Sequence, residues 1–126
     1  MAKAEAKYVR ISSRKVRLVT ELIKGKTVEE AVFMMDSLNK RACRPLKKVI
    51  NSAFANLNYN KQEKFLSKDI VVSTVKADEG PMLVRYRAAT MGRATPVRHR
   101  TSHIYVELDK APQAAAKKAK AKAKGE

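Results

Sequence analysis

Residues 79–108, EGPMLVRYRAATMGRATPVRHRTSHIYVEL, decide the reading of this chain. Between Glu79 and Glu107 stand five arginines, Arg85, Arg87, Arg93, Arg98 and Arg100, with no lysine and no acid. The whole chain holds 18 Lys and only 10 Arg, and lysine alone would serve solubility. An all-arginine stretch therefore points to the guanidinium itself, whose planar fork pairs two-pronged with phosphate and stacks on bases. Large apolar side chains are scarce here. The stretch does not bury a core of its own, so an external partner has to hold it in one shape.

The flanking segments switch to a two-fold pattern. Ile70–Val75 (IVVSTV) and Ile104–Leu108 (IYVEL) are rich in β-branched residues, as strands are. Alternation puts Ile104, Val106 and Leu108 toward a core and His103, Tyr105 and Glu107 outward. Pairing these strands across residues 80–103 predicts a protruding ribbon with its tip at Thr90-Met91-Gly92-Arg93. Arms of about ten to twelve residues, at ~3.3 Å each, would project some 30–40 Å. Gly92 supplies the permissive backbone a tip needs. A bare two-stranded ribbon is marginal in water, and becomes intelligible with nucleic acid packed along both sides.

The N-terminal half has a different period. Residues 2–11 (AKAEAKYVRI) predict a strand, with Ala4, Ala6 and Tyr8 on one face and Lys3, Glu5 and Lys7 on the other. A first helix starts at Ser12 or Ser13, whose hydroxyl can cap it, carries Val16, Val19, Leu22 and Ile23, and stops at Gly25. Thr27-Val28-Glu29-Glu30 is a capping box for a second helix that buries Val28, Ala31, Val32, Met35 and Leu38. A third, from near Asn39 or later to about Asn58, has the stripe Ala42, Leu46, Val49, Ile50, Ala53 and Leu57. Pro45 requires that helix to begin near Arg44 or to bend. Phe33, Met34, Met35 and Phe54 are expected in the core. The fold class is α+β, three helices on a small antiparallel sheet with a long protruding β-hairpin.

With 126 residues, the chain is expected to form one domain over 1–110, followed by a disordered Ala/Lys tail over 111–126. The formal net charge is +16, of which the tail carries only +4, so the basic excess lies mainly on the domain and implies a polyanionic partner. One cysteine, Cys43, excludes an internal disulfide and fits a reducing, cytoplasmic compartment. No apolar run long enough to span a bilayer occurs, so no membrane association is expected, nor is a homo-oligomer.

A second basic cluster lies on the helices, with Arg14, Lys15 and Arg17 opening the first and Arg41, Arg44, Lys47 and Lys48 crowding the third. No acid occurs between Asp36 and Glu63, which removes pairing along the helix as their explanation and favours phosphate contacts. Tyr86, between Arg85 and Arg87, can stack on an unpaired base or cover apolar ribbon. His99 and His103 have no further Cys or His to complete a metal site, and Asp78 and Glu79 point to opposite faces of a strand. No cofactor motif or nucleophile arrangement is present, so neither a cofactor nor an enzyme is expected.

Asp78-Glu79-Gly80-Pro81, Gly92-Arg93-Ala94 and Arg100-Thr101-Ser102-His103-Ile104 resemble the signature of the L-twenty-two family of large-subunit ribosomal proteins, of bacterial or organellar type. Ser13 to Val19 with Leu22-Ile23-Lys24-Gly25, and Lys47-Lys48-Val49-Ile50 with Ser52-Ala53 and Ala55-Asn56, are similar to that family's first and third helices. The resemblance covers about residues 3 to 109. It implies a small body on the ribosome surface, with neighbouring ribosomal proteins and several domains of ribosomal RNA as partners. It also implies a hairpin threaded through that RNA, whose tip lines the exit tunnel, meets the nascent peptide and influences macrolides and stalling. Carried over to this chain, the tip is Arg87, Ala88, Ala89, Thr90, Met91, Gly92, Arg93 and Ala94. The RNA-binding set is Arg14, Lys15, Arg17, Arg44, Lys47, Lys48, Arg85, Arg87, Arg93, Arg98, His99, Arg100, Thr101, Ser102 and His103. Val84, Ala88, Ala89 and Met91 depart from the family's commoner Lys, Pro, Arg and Lys, making this tip less basic. The rival reading is a DNA-bending architectural protein with a basic ribbon, for which Met91 would be the wedge.

Overall fold

A computed structural model describes residues 1–61 and 65–110. The expected tail over 111–126 lies outside the described residues. The order is β1 (Ala2–Val9), α1 (Ser13–Ile23), α2 (Val28–Ser37), α3 (Cys43–Lys61), β2 (Ile70–Glu79), β3 (Leu83–Ala88), β4 (Ala94–His99) and β5 (Ser102–Lys110). One antiparallel sheet has the order β1-β5-β2, and β3 and β4 form a separate two-stranded hairpin, so the class is α+β.

The core lies between the three-stranded sheet and the helices. Alternation on β5 works as expected, with Ile104, Val106 and Leu108 fully buried. On α3 the whole stripe Ala42, Leu46, Val49, Ile50, Ala53 and Leu57 is buried, and the helix lies against β1 and β5 while α1 lies against β2. Each fully buried leucine or isoleucine of this kind contributes about 1.5–3 kcal/mol. Pro45 is the third residue of α3, inside the first turn where no intrahelical amide is needed, so the helix neither breaks nor bends for it. Thr27 and Glu30 form the predicted capping box, with backbone-to-side-chain bonds of 3.2 and 3.3 Å. Gly25 follows α1 at φ 77°, and its amide donates to the Val72 carbonyl, tying the helix exit to β2.

Several expectations fail for identifiable reasons. The first strand ends at Val9, because a register shift between Ala6 and Val9 and a positive φ of 57° at Tyr8 turn that ring out of the alternation. Tyr8 is instead exposed and sets its ring edge-to-face against His103. Ser12 makes no side-chain cap bond, and the buried Ser13 hydroxyl donates to Glu79 on β2 instead. Phe33 is exposed and Leu22 largely so, because the sheet and α3 accept only one face each of α1 and α2.

The hairpin leaves the main sheet after Glu79 and rejoins it at Ser102, the span expected, but its own ladder does not run the whole way. Its paired arms are six residues each, ~20 Å at the usual rise, because the ladder breaks at Gly80–Met82 and Arg100–Thr101 before β2 and β5 resume pairing. The tip is where it was expected. Met91 and Gly92 sit at φ 58° and 68°, the positive values that mirror-image hairpin turns require, with Ala89 donating to the Arg93 carbonyl below them.

Candidate nucleic-acid interface

At the root of the hairpin the family-signature residues pack on one another. The Gly80 amide donates to the Thr101 carbonyl at 3.0 Å, and the Thr101 hydroxyl donates to the Pro81 carbonyl at 2.8 Å. A Cβ on Gly80 would come within 2.5 Å of the Thr101 hydroxyl oxygen, so glycine is needed for the close approach. His103 accepts from the Tyr8 amide through Nδ1, and Ser13 reaches across to Glu79. Thr101 and Ser102 are buried. The Thr101 side chain therefore ties the root together at the floor of the cleft above it, while the Ser102 side chain is sealed inside. The hydroxyl of Ser102 is the orphaned buried polar side-chain atom among the described residues.

Above this root lies a cleft of about 520 Å³ between body and hairpin. Arg10 just after β1, Lys15 from α1 and Arg41 just before α3 form one wall, and Arg85, Arg98 and Arg100 from the hairpin form the other, with His99 beside them. No carboxylate occurs among the described lining residues, and no hairpin arginine forms an ion pair among the described residues. Six cations facing a shared gap repel one another in the free protein. An anion placed between them would be held by forked, charge-assisted hydrogen bonds.

The remaining predicted residues are distributed around the molecule. Arg87 and Arg93 stand exposed on the outer half of the hairpin, and Tyr86 is exposed beside them. Arg14, Arg44 and Lys48 are exposed on the helices. Arg17 faces elsewhere, donating through Nε to the Ala77 carbonyl at 3.0 Å. Lys47 is paired with Asp36 of α2 at 2.7 Å, so the lack of acids along α3 did not leave it unpartnered. Sequence reasoning missed Arg10 and left Arg41 outside the RNA-binding set. Their role depends on the return of the hairpin to the body, a contact between residues some distance apart in the chain. The proximity of Arg10 to the Ser12-Ser13-Arg14-Lys15 cluster was the available signal.

The outer face of the sheet has its own electrostatics. The Tyr105 hydroxyl donates to Glu107 at 2.7 Å and the Lys3 ammonium lies 2.9 Å away, and together they lower the Glu107 carboxyl to about 2. The same contacts raise Lys3. No cluster of metal-ligating side chains exists among the described residues.

Residues 4–109 match the family described as Ribosomal protein L22p/L17e. Proteins named "Large ribosomal subunit protein uL22" are similar over most of their length. The one from Halothermothrix orenii is 46% identical over 105 residues, covering 83% of this chain and 91% of its own. That from Desulfitobacterium hafniense is 47% identical, covering 83% and 90%, and one from a Synechococcus strain is 41% identical, covering 84% of each. The chain belongs to the ribosomal protein L22p/L17e family.

Proposed function

We propose that this chain is a structural constituent of the large ribosomal subunit that grips ribosomal RNA between its body and its hairpin. The names of its relatives support the assembly, and one structural observation supports the mode of binding. Cations from the segment after β1, from α1, from the α2–α3 connection and from both sides of the hairpin, far apart in sequence, meet in one cleft with no acid among its described lining residues. Electrostatic attraction brings the basic chain to RNA, and the cleft's arginine forks fix the register. Engaging RNA on both walls links segments from different RNA domains during assembly. The exposed tip, Arg87 to Ala94, then lies against the nascent-peptide exit tunnel and meets the growing chain. Neighbouring ribosomal proteins contact the body. The role is non-catalytic, as it is for this family, and the family match leaves the DNA-bending reading without support.

The test is the paired substitution Arg98→Ala with Arg100→Ala, read by binding to a large-subunit RNA fragment over a salt series. Affinity should fall, and the slope of log affinity against log salt should shrink by about two, one per lost phosphate contact. Melting should be unchanged, because both side chains are exposed. An unaltered slope would refute a phosphate role for the pair.

A further inference from the structure

The body has a second groove, and its chemistry is not that of an RNA site. Leu18 and Leu22 stand one turn apart on the outer side of α1, 65% and 45% exposed. Ile11, Val19 and Leu38 join them to floor a groove of about 580 Å³ between α1 and the α2–α3 connection. Arg10, Lys15, Lys40 and Arg41 form its rim, and no carboxylate occurs among the described lining residues. A contiguous exposed apolar patch with a charged rim is a usual mark of an interaction surface.

RNA fits this groove poorly. Aliphatic side chains offer no face on which a base can stack, and the described lining contains no aromatic ring. Arg10, Lys15 and Arg41 also wall the neighbouring cleft, where Arg85, Arg98 and Arg100 face them, so a phosphate backbone is better served there. What the groove lacks is an apolar occupant with negative charge at its edges. We propose that it docks an amphipathic helical segment of another protein. Such a segment would set two leucine-class side chains a turn apart on Leu18, Leu22 and Leu38 and place a carboxylate against Lys40, the rim cation that the RNA cleft does not use. Helix-in-groove recognition works in this way, with apolar anchors for affinity and flanking charge for orientation.

The probe is a synthetic helical peptide with Leu at i and i+4 and Glu along both flanks. Its comparator is a scrambled peptide of the same composition and charge. Fluorescence anisotropy with the full chain at roughly physiological salt should show the patterned peptide binding about tenfold tighter, a difference of ~1.4 kcal/mol. Leu18→Ser with Leu22→Ser should abolish that preference while leaving affinity for the RNA fragment unchanged. Leu18→Ser alone, at the more exposed position, should reduce the preference and serves if the double variant melts early. Equal affinity for the two peptides, or a preference that survives both leucine variants, would mean that charge alone acts and would overturn the proposal. A tenfold loss of RNA affinity in the leucine variants would assign the groove to RNA and overturn it equally. None of these outcomes bears on Arg98 and Arg100, so the RNA-cleft reading stands or falls separately.

Discussion

Along β5 every second side chain is sealed, with Ile104, Val106 and Leu108 at 0% exposure, whereas all six residues of β3, in the separate hairpin, are exposed. The two strands belong to one polypeptide and use the same ladder geometry, but different forces hold them. The body's sheet has helices to cover it, and burial fixes its register. The hairpin has its own backbone pairing, a mirror-image turn and one cross-strand bond from the Thr95 hydroxyl to the Arg87 carbonyl, with Val97 as its half-buried side chain. A ribbon of that kind is marginal in water and gains a single conformation from whatever binds it. Its side chains are correspondingly free for recognition.

This contrast can be broken most directly by matched truncations. Ile50→Ala removes a fully buried side chain beneath the sheet and should cost about 2–5 kcal/mol in chemical denaturation. Tyr86→Ala on the hairpin should change stability by no more than ~0.5 kcal/mol while leaving the body's unfolding cooperative. Comparable losses would mean that the hairpin has an apolar interior after all, and the contrast would fail.

The junction between the two regions sharpens it. Gly80→Ala forces a methyl group against the Thr101 hydroxyl, which is itself held by the Pro81 carbonyl, so neither partner yields easily. The expected cost is about 1–3 kcal/mol. RNA affinity should also fall, since the angle between cleft walls changes. A variant with wild-type stability and binding would show that the root tolerates rearrangement.

The smallest effect tests the body's wet face. Glu107 titrates at about 2 against an ordinary 4.5, so its contribution to stability is present above the ordinary value and is lost as pH falls toward 2. Carboxyl resonances followed by NMR should place the midpoint there, and Tyr105→Phe should move it upward because the largest stabilising hydrogen bond is gone. A midpoint that stays put in that variant would remove Tyr105 as the cause.

Local chemistry accounts for what could be read from the sequence. The α3 stripe, the Thr27–Glu30 capping box, the alternation on β5 and the Met91-Gly92 tip each depend on residues a few positions apart, whose preferences the structure keeps. Tertiary contacts account for the rest. Tyr8 leaves its strand's alternation because a register shift brings it against His103, 95 residues away. Ser102 read as a polar surface residue although the root seals it, and Lys47 read as free until α2 brought Asp36 to it. The cleft itself was half legible: the hairpin arginines and the basic cluster containing Lys15 and Arg41 were visible as separate sets, but Arg10 and the meeting of the two walls were not.

The order of the larger sheet, β1-β5-β2, puts the last strand of the described chain in the middle. Ala2 pairs with Leu108 and Ile70 with Lys110, so neither outer strand has a strand partner until β5 arrives, and β2 is held before then only by its short backbone contact with Gly25–Thr27. During synthesis the helices can gather early, but the sheet beneath them stays open while the arginine-bearing loop is translated. The body therefore closes only after its finger has been made, and a chain released prematurely, before Ser102, would leave the β5-facing edges of β1 and β2 bare and the core uncovered.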